Sequence, residues 1–165
     1  MPEDLRNASA AYRSLAPAVL GYLRSQRVPD PDDVLGEVFL SVARDIGRFR
    51  GDEPALRRWV FSIAHNRAMD AHRKAKRDRS TVGTDLADGA SAPVASAPDE
   101  GLDPELIEAL DTLSPDQREV VVLRFVADLP LEAVAKITRR TAGAVKALQH
   151  RAMENLRRAV SPPEG

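Results

Sequence analysis

The sequence predicts an all-α fold in two parts: a three-helix N-terminal domain, and a four-helix C-terminal domain that ends in a helix-turn-helix. Three observations carry this. Apolar residues recur at three- and four-residue spacing in both halves, and no alternating strand pattern runs longer than a few residues. Proline-led helix starts punctuate the chain at Asp30-Pro31, Asp103-Pro104 and Ser114-Pro115. Between the halves, residues 80–103 are rich in small residues, glycine and proline, with almost no periodic apolar positions. Such a stretch buries too little surface to offset its ordering entropy. It reads as a flexible acidic linker between domains at 1–79 and 104–160.

The first helix is expected from Ala8 to Arg27, with Pro17 as a site for a kink. Asp30 then supplies a cap, Pro31 the first helical position, and Asp32 and Asp33 acid against the positive end of the dipole. The second helix, Pro31 to Arg48, carries Val34, Leu35, Val38, Phe39, Leu40, Val42 and Ile46. A helix this apolar needs cover on more than one side, from neighbouring helices or from a partner protein. The third, Pro54 to Arg77, interleaves Trp59, Val60, Phe61 and Ile63 with cations and Asn66. In the second half, Asp103 caps a helix from Pro104 to Leu110, and Ser114 with Gln117 forms a capping box for one from Pro115 to Ala127. Helices from Leu131 to Thr138 and from Ala142 to Val160 complete the chain.

Composition narrows the function classes. The 165 residues hold no cysteine, which excludes a disulfide framework and a thiolate metal site. Residues 1–30 lack the apolar run of a signal peptide and no stretch is long enough to span a bilayer, so a cytoplasmic protein is expected. With 24 basic and 25 acidic residues the net charge is −1, so any polyanion binding must be local. The charge is in fact segregated. Arg57, Arg58, Arg67, Arg73, Lys74, Lys76, Arg77 and Arg79 face only Asp70 and Asp78. Arg139, Arg140, Lys146, Arg151, Arg157 and Arg158 face only Glu154. Each run is either a solvated helix face or a polyanion-binding patch.

The last two helices favour the second reading. Val134, Ile137, Val145 and Leu148 supply an apolar seam where they cross, while Lys146, His150 and Arg151 fall away from that seam at helical spacing. This is the layout of a DNA-reading helix-turn-helix with its second helix in the major groove. An ordinary amphipathic hairpin has the same seam without the cations. On the third helix, aromatic rings beside arginines suit unstacked bases, although Trp59, Val60 and Ile63 also fit a plain core stripe. Asn66, Arg67 and Arg73 are harder to account for by packing.

Four segments together resemble one family. Asp32-Asp-Val-Leu-Gly-Glu-Val-Phe-Leu40 is similar to a core-polymerase-binding segment with an acidic pair and a Glu-Val-Phe, and Trp59-Val-Phe-Ser-Ile-Ala-His-Asn-Arg67 to a −10-reading segment. Leu113-Ser-Pro-Asp-Gln-Arg-Glu-Val-Val-Val-Leu-Arg124 and Gly143-Ala-Val-Lys-Ala-Leu-Gln-His-Arg-Ala152 are similar to a −35-reading domain. In this order around a linker they resemble an extracytoplasmic-function sigma factor, the small two-domain form of the bacterial sigma-70 family. The resemblance implies a promoter-specificity subunit with no catalytic role or cofactor of its own, whose partners are core RNA polymerase, promoter DNA and an anti-sigma protein. It places Asp32, Asp33, Glu37 and Phe39 against polymerase. Phe61, Ile63 and Asn66, with Arg67 and Arg73 beside them, fall on the −10 element. Arg124, Lys146, Ala147, His150 and Arg151 fall on the −35 element.

This chain departs from the family pattern in places. Gly36 stands where glutamine is usual, Arg139 where the turn commonly has glycine, Ala147-Leu148 where Ser-Arg is frequent, and Pro130 where serine caps. A −35 preference unlike the commonest one is expected. Two rival readings have less support. A stand-alone helix-turn-helix repressor leaves the N-terminal domain without a purpose. A metalloenzyme built on His65, His72 and Asp70 lacks the His-Glu-x-x-His spacing.

Overall fold

The computed structural model describes residues 3–82 and 103–160, so nearly all of the expected linker lies outside the described residues. The N-terminal half forms α1 (Glu3–Ser25), α2 (Pro31–Asp45), a short 3-10 turn (Ile46–Arg48) and α3 (Glu53–Val82). The C-terminal half forms α4 (Pro104–Leu110), α5 (Pro115–Val121), a wider π turn (Val122–Val126), α6 (Leu131–Thr138) and α7 (Ala142–Val160). No strand occurs among the described residues.

Local chemistry sets these boundaries, with some corrections to expectation. Asp103 accepts from the Glu105 backbone and the Ser114–Gln117 capping box is complete. Asp30, expected to cap α2 through its side chain, does not do so. Its backbone is left-handed (φ 50°), and its carbonyl instead receives the N–H groups of Asp33 and Val34. The helix expected to run unbroken to Ala127 relaxes into the π turn, where Ala127 N–H reaches back to the Val122 carbonyl. α1 begins earlier than expected, at Glu3, and α3 runs on to Val82, into the start of the predicted linker.

Three reversals use left-handed residues other than glycine: Arg27 (φ 56°), Asp128 (φ 58°) and Arg139 (φ 59°). At Arg27 and Arg139 the surrounding hydrogen bonds form Schellman motifs, Val28 N–H to the Leu23 carbonyl and Arg140 N–H to the Ala135 carbonyl.

The two halves share one core. Val19, Tyr22 and Leu23 of α1 pack with Val38 and Val42 of α2 and with Val60, Phe61 and Ala64 of α3. Val120, Val122, Leu123, Leu129, Val134, Val145 and Ala152 form the C-terminal part of the same cluster. Across the boundary, α1 packs on α5 and the π turn, and α3 packs on α6.

Candidate nucleic-acid interface

The helix-turn-helix is built as its seam predicts. Val134 and Val145 are fully buried, and Ile137 and Leu148 pack against them at the crossing of α6 and α7. Thr141 caps α7 by accepting the Ala144 N–H at 3.0 Å. Lys146, Ala147, His150 and Arg151 are all exposed on the outer face of α7. Neither Lys146 nor Arg151 forms a hydrogen bond or ion pair within the described residues, and His150 lies 3.8 Å from Glu154. Arg124 is different. Its Nε donates to Gln149 Oε1 at 3.1 Å, its Nη1 to the Leu129 carbonyl at 2.8 Å, and its guanidinium lies over the exposed Phe125 ring. The guanidinium thus ties the π turn to α7 through two of its five N–H donors.

On α3 the expected residues divide. Asn66 is exposed and Ile63 half-buried. Phe61, expected in a base pocket, is fully buried, with its ring edge-on to Tyr22. The reason is geometric: its position on α3 faces α1 rather than solvent. Arg67 donates to the Ser41 hydroxyl at 2.9 Å and lies 3.7 Å from Glu37, while Arg73 pairs with Asp70. Trp59 stacks on Phe49 and packs against the core, as a core stripe requires. His65, weighed above as a metal ligand, is committed to Glu119, and no three metal-ligating side chains converge among the described residues.

Comparison with known proteins agrees with this geometry. Residues 11–78 match the model of Sigma-70 region 2, and residues 109–158 that of Sigma-70, region 4. The sigma factor CarQ of Myxococcus xanthus is 35% identical over 151 residues, covering 86% of this chain and 82% of CarQ. The chain belongs to the extracytoplasmic-function sigma factors of the sigma-70 family. The factor SigD of Mycobacterium tuberculosis is 34% identical over 129 residues, and there the match spans only 61% of the relative's length. Among solved structures, Bartonella quintana RpoE in complex with the anti-sigma factor NepR shares the fold at TM-score 0.75 and 22% identity, over 96% of this chain and 99% of RpoE.

In this sigma factor the outer face of α2 carries a feature that sequence reading passed over. Asp32, Asp33 and Glu37 are exposed, as expected, but Phe39 is 9% exposed and packs edge-on to Tyr12. Phe39, expected against polymerase, is packed in the core of this chain. The exposed apolar side chain is its neighbour Leu40, at 72%. Leu40 lies about 160° around the helix from the centre of the buried Val34–Val38–Val42 stripe, at 100° per residue. A helical-wheel count would have found it, whereas the bare density of apolar residues hid it.

The second unforeseen feature is a polar cluster between the domains. Glu119 of α5 is buried, and its Oε2 accepts from the Tyr22 hydroxyl at 2.8 Å and lies 3.0 Å from His65 Nδ1. Its Oε1 accepts from Arg140, which also reaches Asp116. Beside it the buried Arg118 donates to the carbonyls of Leu110 and Leu113 in its own domain and of Ser25 at the end of α1. Arg27–Asp111 and Arg57–Asp128 complete the seam. Those two pairs are solvent-facing and contribute about 0–1 kcal/mol each. Charge-assisted bonds to the buried carboxylate contribute about 1.5–3 kcal/mol each, so Glu119 dominates.

The environment shows in the protonation equilibria. Burial pushes the Glu119 carboxyl up, but the hydrogen bond and charge of His65, the Tyr22 hydroxyl and Arg140 outweigh it and hold the group below its ordinary 4.5. Burial, then the Glu119 charge, raises the Tyr22 phenol well above its ordinary 10.0. Burial, then the nearby Arg27, lowers the Arg118 guanidinium.

Proposed function

We propose that this sigma factor directs core RNA polymerase to promoters, reading the −35 element through α7 and the −10 element through α3. The observation that carries this is the outward face of α7: Lys146 and Arg151 stand exposed on a capped helix whose opposite side is locked by Val145 and Leu148. Exposed cations on a rigid helix suit phosphates and base edges of a major groove. Asn66 and Ile63 would meet unpaired −10 bases, with Arg67 and Arg73 near the phosphates and Phe61 supporting them from the core. Asp32, Asp33 and Glu37, with Leu40 among them, would dock on polymerase. Arg124 would act on the −35 element through Gln149 and α7 more than by direct contact. Ala147 offers a methyl that suits a thymine.

RNA synthesis would belong to the polymerase, so the chain is not itself an enzyme and works in the cytoplasm, where its template lies. No helix among the described residues is long and apolar enough to cross a membrane. An anti-sigma protein is a further proposed partner, since RpoE, which shares this fold, is seen in complex with the anti-sigma factor NepR. In vitro transcription with core polymerase on a randomised promoter library tests the reading. Enrichment of paired −35 and −10 sequences is expected; transcription no different from core alone would refute it.

A further inference from the structure

We infer that Gln149 is a further DNA-contacting residue of α7: its amide donates to a phosphate of the −35 element, and Arg124 is the positioning residue that aims it. The inference rests on the promoter-reading function above and deepens it.

The orientation of the amide is dictated by its partner. Arg124 Nε can only donate, so the atom that faces it at 3.1 Å is the Gln149 oxygen. A flipped amide would set N–H against N–H. The guanidinium is itself held on two further sides, by the Leu129 carbonyl at 2.8 Å and by the Phe125 ring, whose centroid lies 5.2 Å away. Phe125, an exposed aromatic ring on the π turn, thus has a use as the floor on which the guanidinium lies.

The amide oxygen is therefore spent inside the protein, and the two N–H donors of Nε2 are left. They have no partner among the described residues. Gln149 is half-buried, but the one buried side-chain polar atom without a partner among the described residues is Arg57 Nε. The Gln149 donors consequently reach solvent.

Position on the helix says what they meet. At 100° per residue, Gln149 lies about 40° from Val145 on one side and about 60° from Lys146 on the other. Val145 is fully buried and Lys146 exposed, so Gln149 stands at the border of the outer face. A group there reaches the phosphate wall of a major groove before the base edges on its floor. The chemistry agrees. Glutamine reads adenine with its oxygen and its nitrogen together, and here the oxygen is taken. Two donors without an acceptor suit a phosphate oxygen.

The test uses core polymerase loaded with the full chain, titrated with −35 duplexes in which one phosphate at a time is replaced by a neutral methylphosphonate. Gln149→Leu should bind unmodified duplex about fivefold to tenfold less tightly, on matched and scrambled sites alike, the loss of one hydrogen bond to a charged acceptor. It should also be indifferent to one replacement that weakens the native chain. Its salt slope should not change, because a neutral amide releases no counterion. Arg124→Met should lose sensitivity at that same phosphate. Gln149→Glu keeps an acceptor for Arg124 and removes the donors, so it should lose the same phosphate, and it decides the matter should Gln149→Leu not fold by circular dichroism. Folded Gln149 variants that keep every native sensitivity overturn the contact. An Arg124→Met chain that keeps the Gln149 phosphate overturns the aiming, and a loss confined to matched sites overturns the phosphate in favour of a base. If the native chain gives core polymerase no added affinity for the duplex, the promoter-reading function fails first, a result seen without any variant.

Discussion

The two helices that would read promoter DNA are in opposite conditions. On α7, Lys146 and Arg151 face solvent without partners among the described residues, and the helix is fixed from behind by Val145 and Ala152. On α3, three of the five candidates are engaged, Phe61 in the core, Arg67 with Ser41 and Glu37, and Arg73 with Asp70, while Asn66 is exposed and Ile63 half-buried. The difference follows from what each would bind. A duplex groove is a fixed shape that a preset helix can meet, whereas a −10 pocket serves only unpaired bases and can stay covered until they exist.

Breaking the covered helix should have the largest effect. Phe61→Ala removes a fully buried ring shared with Tyr22, and large-to-small core changes of this kind cost about 3–5 kcal/mol. A large loss in urea-unfolding stability is expected. A near-neutral result would mean that Phe61 is exposed in solution and the pocket open.

Next comes the carboxylate between the domains. Glu119→Gln should cost about 2 kcal/mol at neutral pH, the scale of a buried charge-assisted bond. Because the folded-state value of Glu119 is depressed, its stabilisation is present above the ordinary 4.5 and lost as pH falls through the lower folded value. The gap between native and variant chains should therefore close in acid. Tyr22 gives the mirror case. Its raised value makes stability hold up to about the ordinary 10.0 and fall above it, a limb that Tyr22→Phe should abolish. The groups facing Glu119 are Tyr22, His65 and Arg140, with Asp116 beyond. A pH-independent gap would mean that Glu119 is uncharged or unbonded.

On the exposed helix, Arg151→Ala should cost about 1–3 kcal/mol on matched −35 duplex and relax preference at one or two positions. Lys146→Ala should weaken all sequences alike and lower the salt slope by about one. Binding across a salt series on matched and scrambled duplexes separates the two. If neither moves affinity or its salt dependence, α7 does not enter the groove.

Much of this was legible in the sequence, and the failures have physical causes. The caps at Asp103 and Ser114 and the seam of Val134 and Val145 are local or periodic signals, and both appear as expected. Phe39 was assigned to a partner and Phe61 to a base because motif position says which segment matters, not which way a ring turns. Leu40 was missed because it sits among buried neighbours in sequence but opposite them around the helix. Glu119 could not be anticipated at all. Its partners lie 97 and 54 residues away, beyond any pattern within one helix.

The smallest expected effect sharpens the comparison from the side of α7. Arg139 occupies the left-handed position of the turn between α6 and α7, at φ 59° and ψ 41°, where the Schellman bonds require that conformation. A side chain there costs about 1–2 kcal/mol relative to the right-handed region, while glycine adopts it without strain but loses more entropy on folding. Arg139→Gly should therefore stabilise the chain by about 0.5–1 kcal/mol. Arg139 is exposed and close to the α7 cap, so the same change removes a cation beside the proposed groove. If its charge matters, the more stable variant should bind −35 duplex less tightly, with a lower salt slope; equal binding would leave the arginine as strain alone. A fall in thermal stability would instead mean that the turn is not left-handed in solution. The turn would then be less preset than the rest of the reading helix, and α7 would lose the contrast with α3.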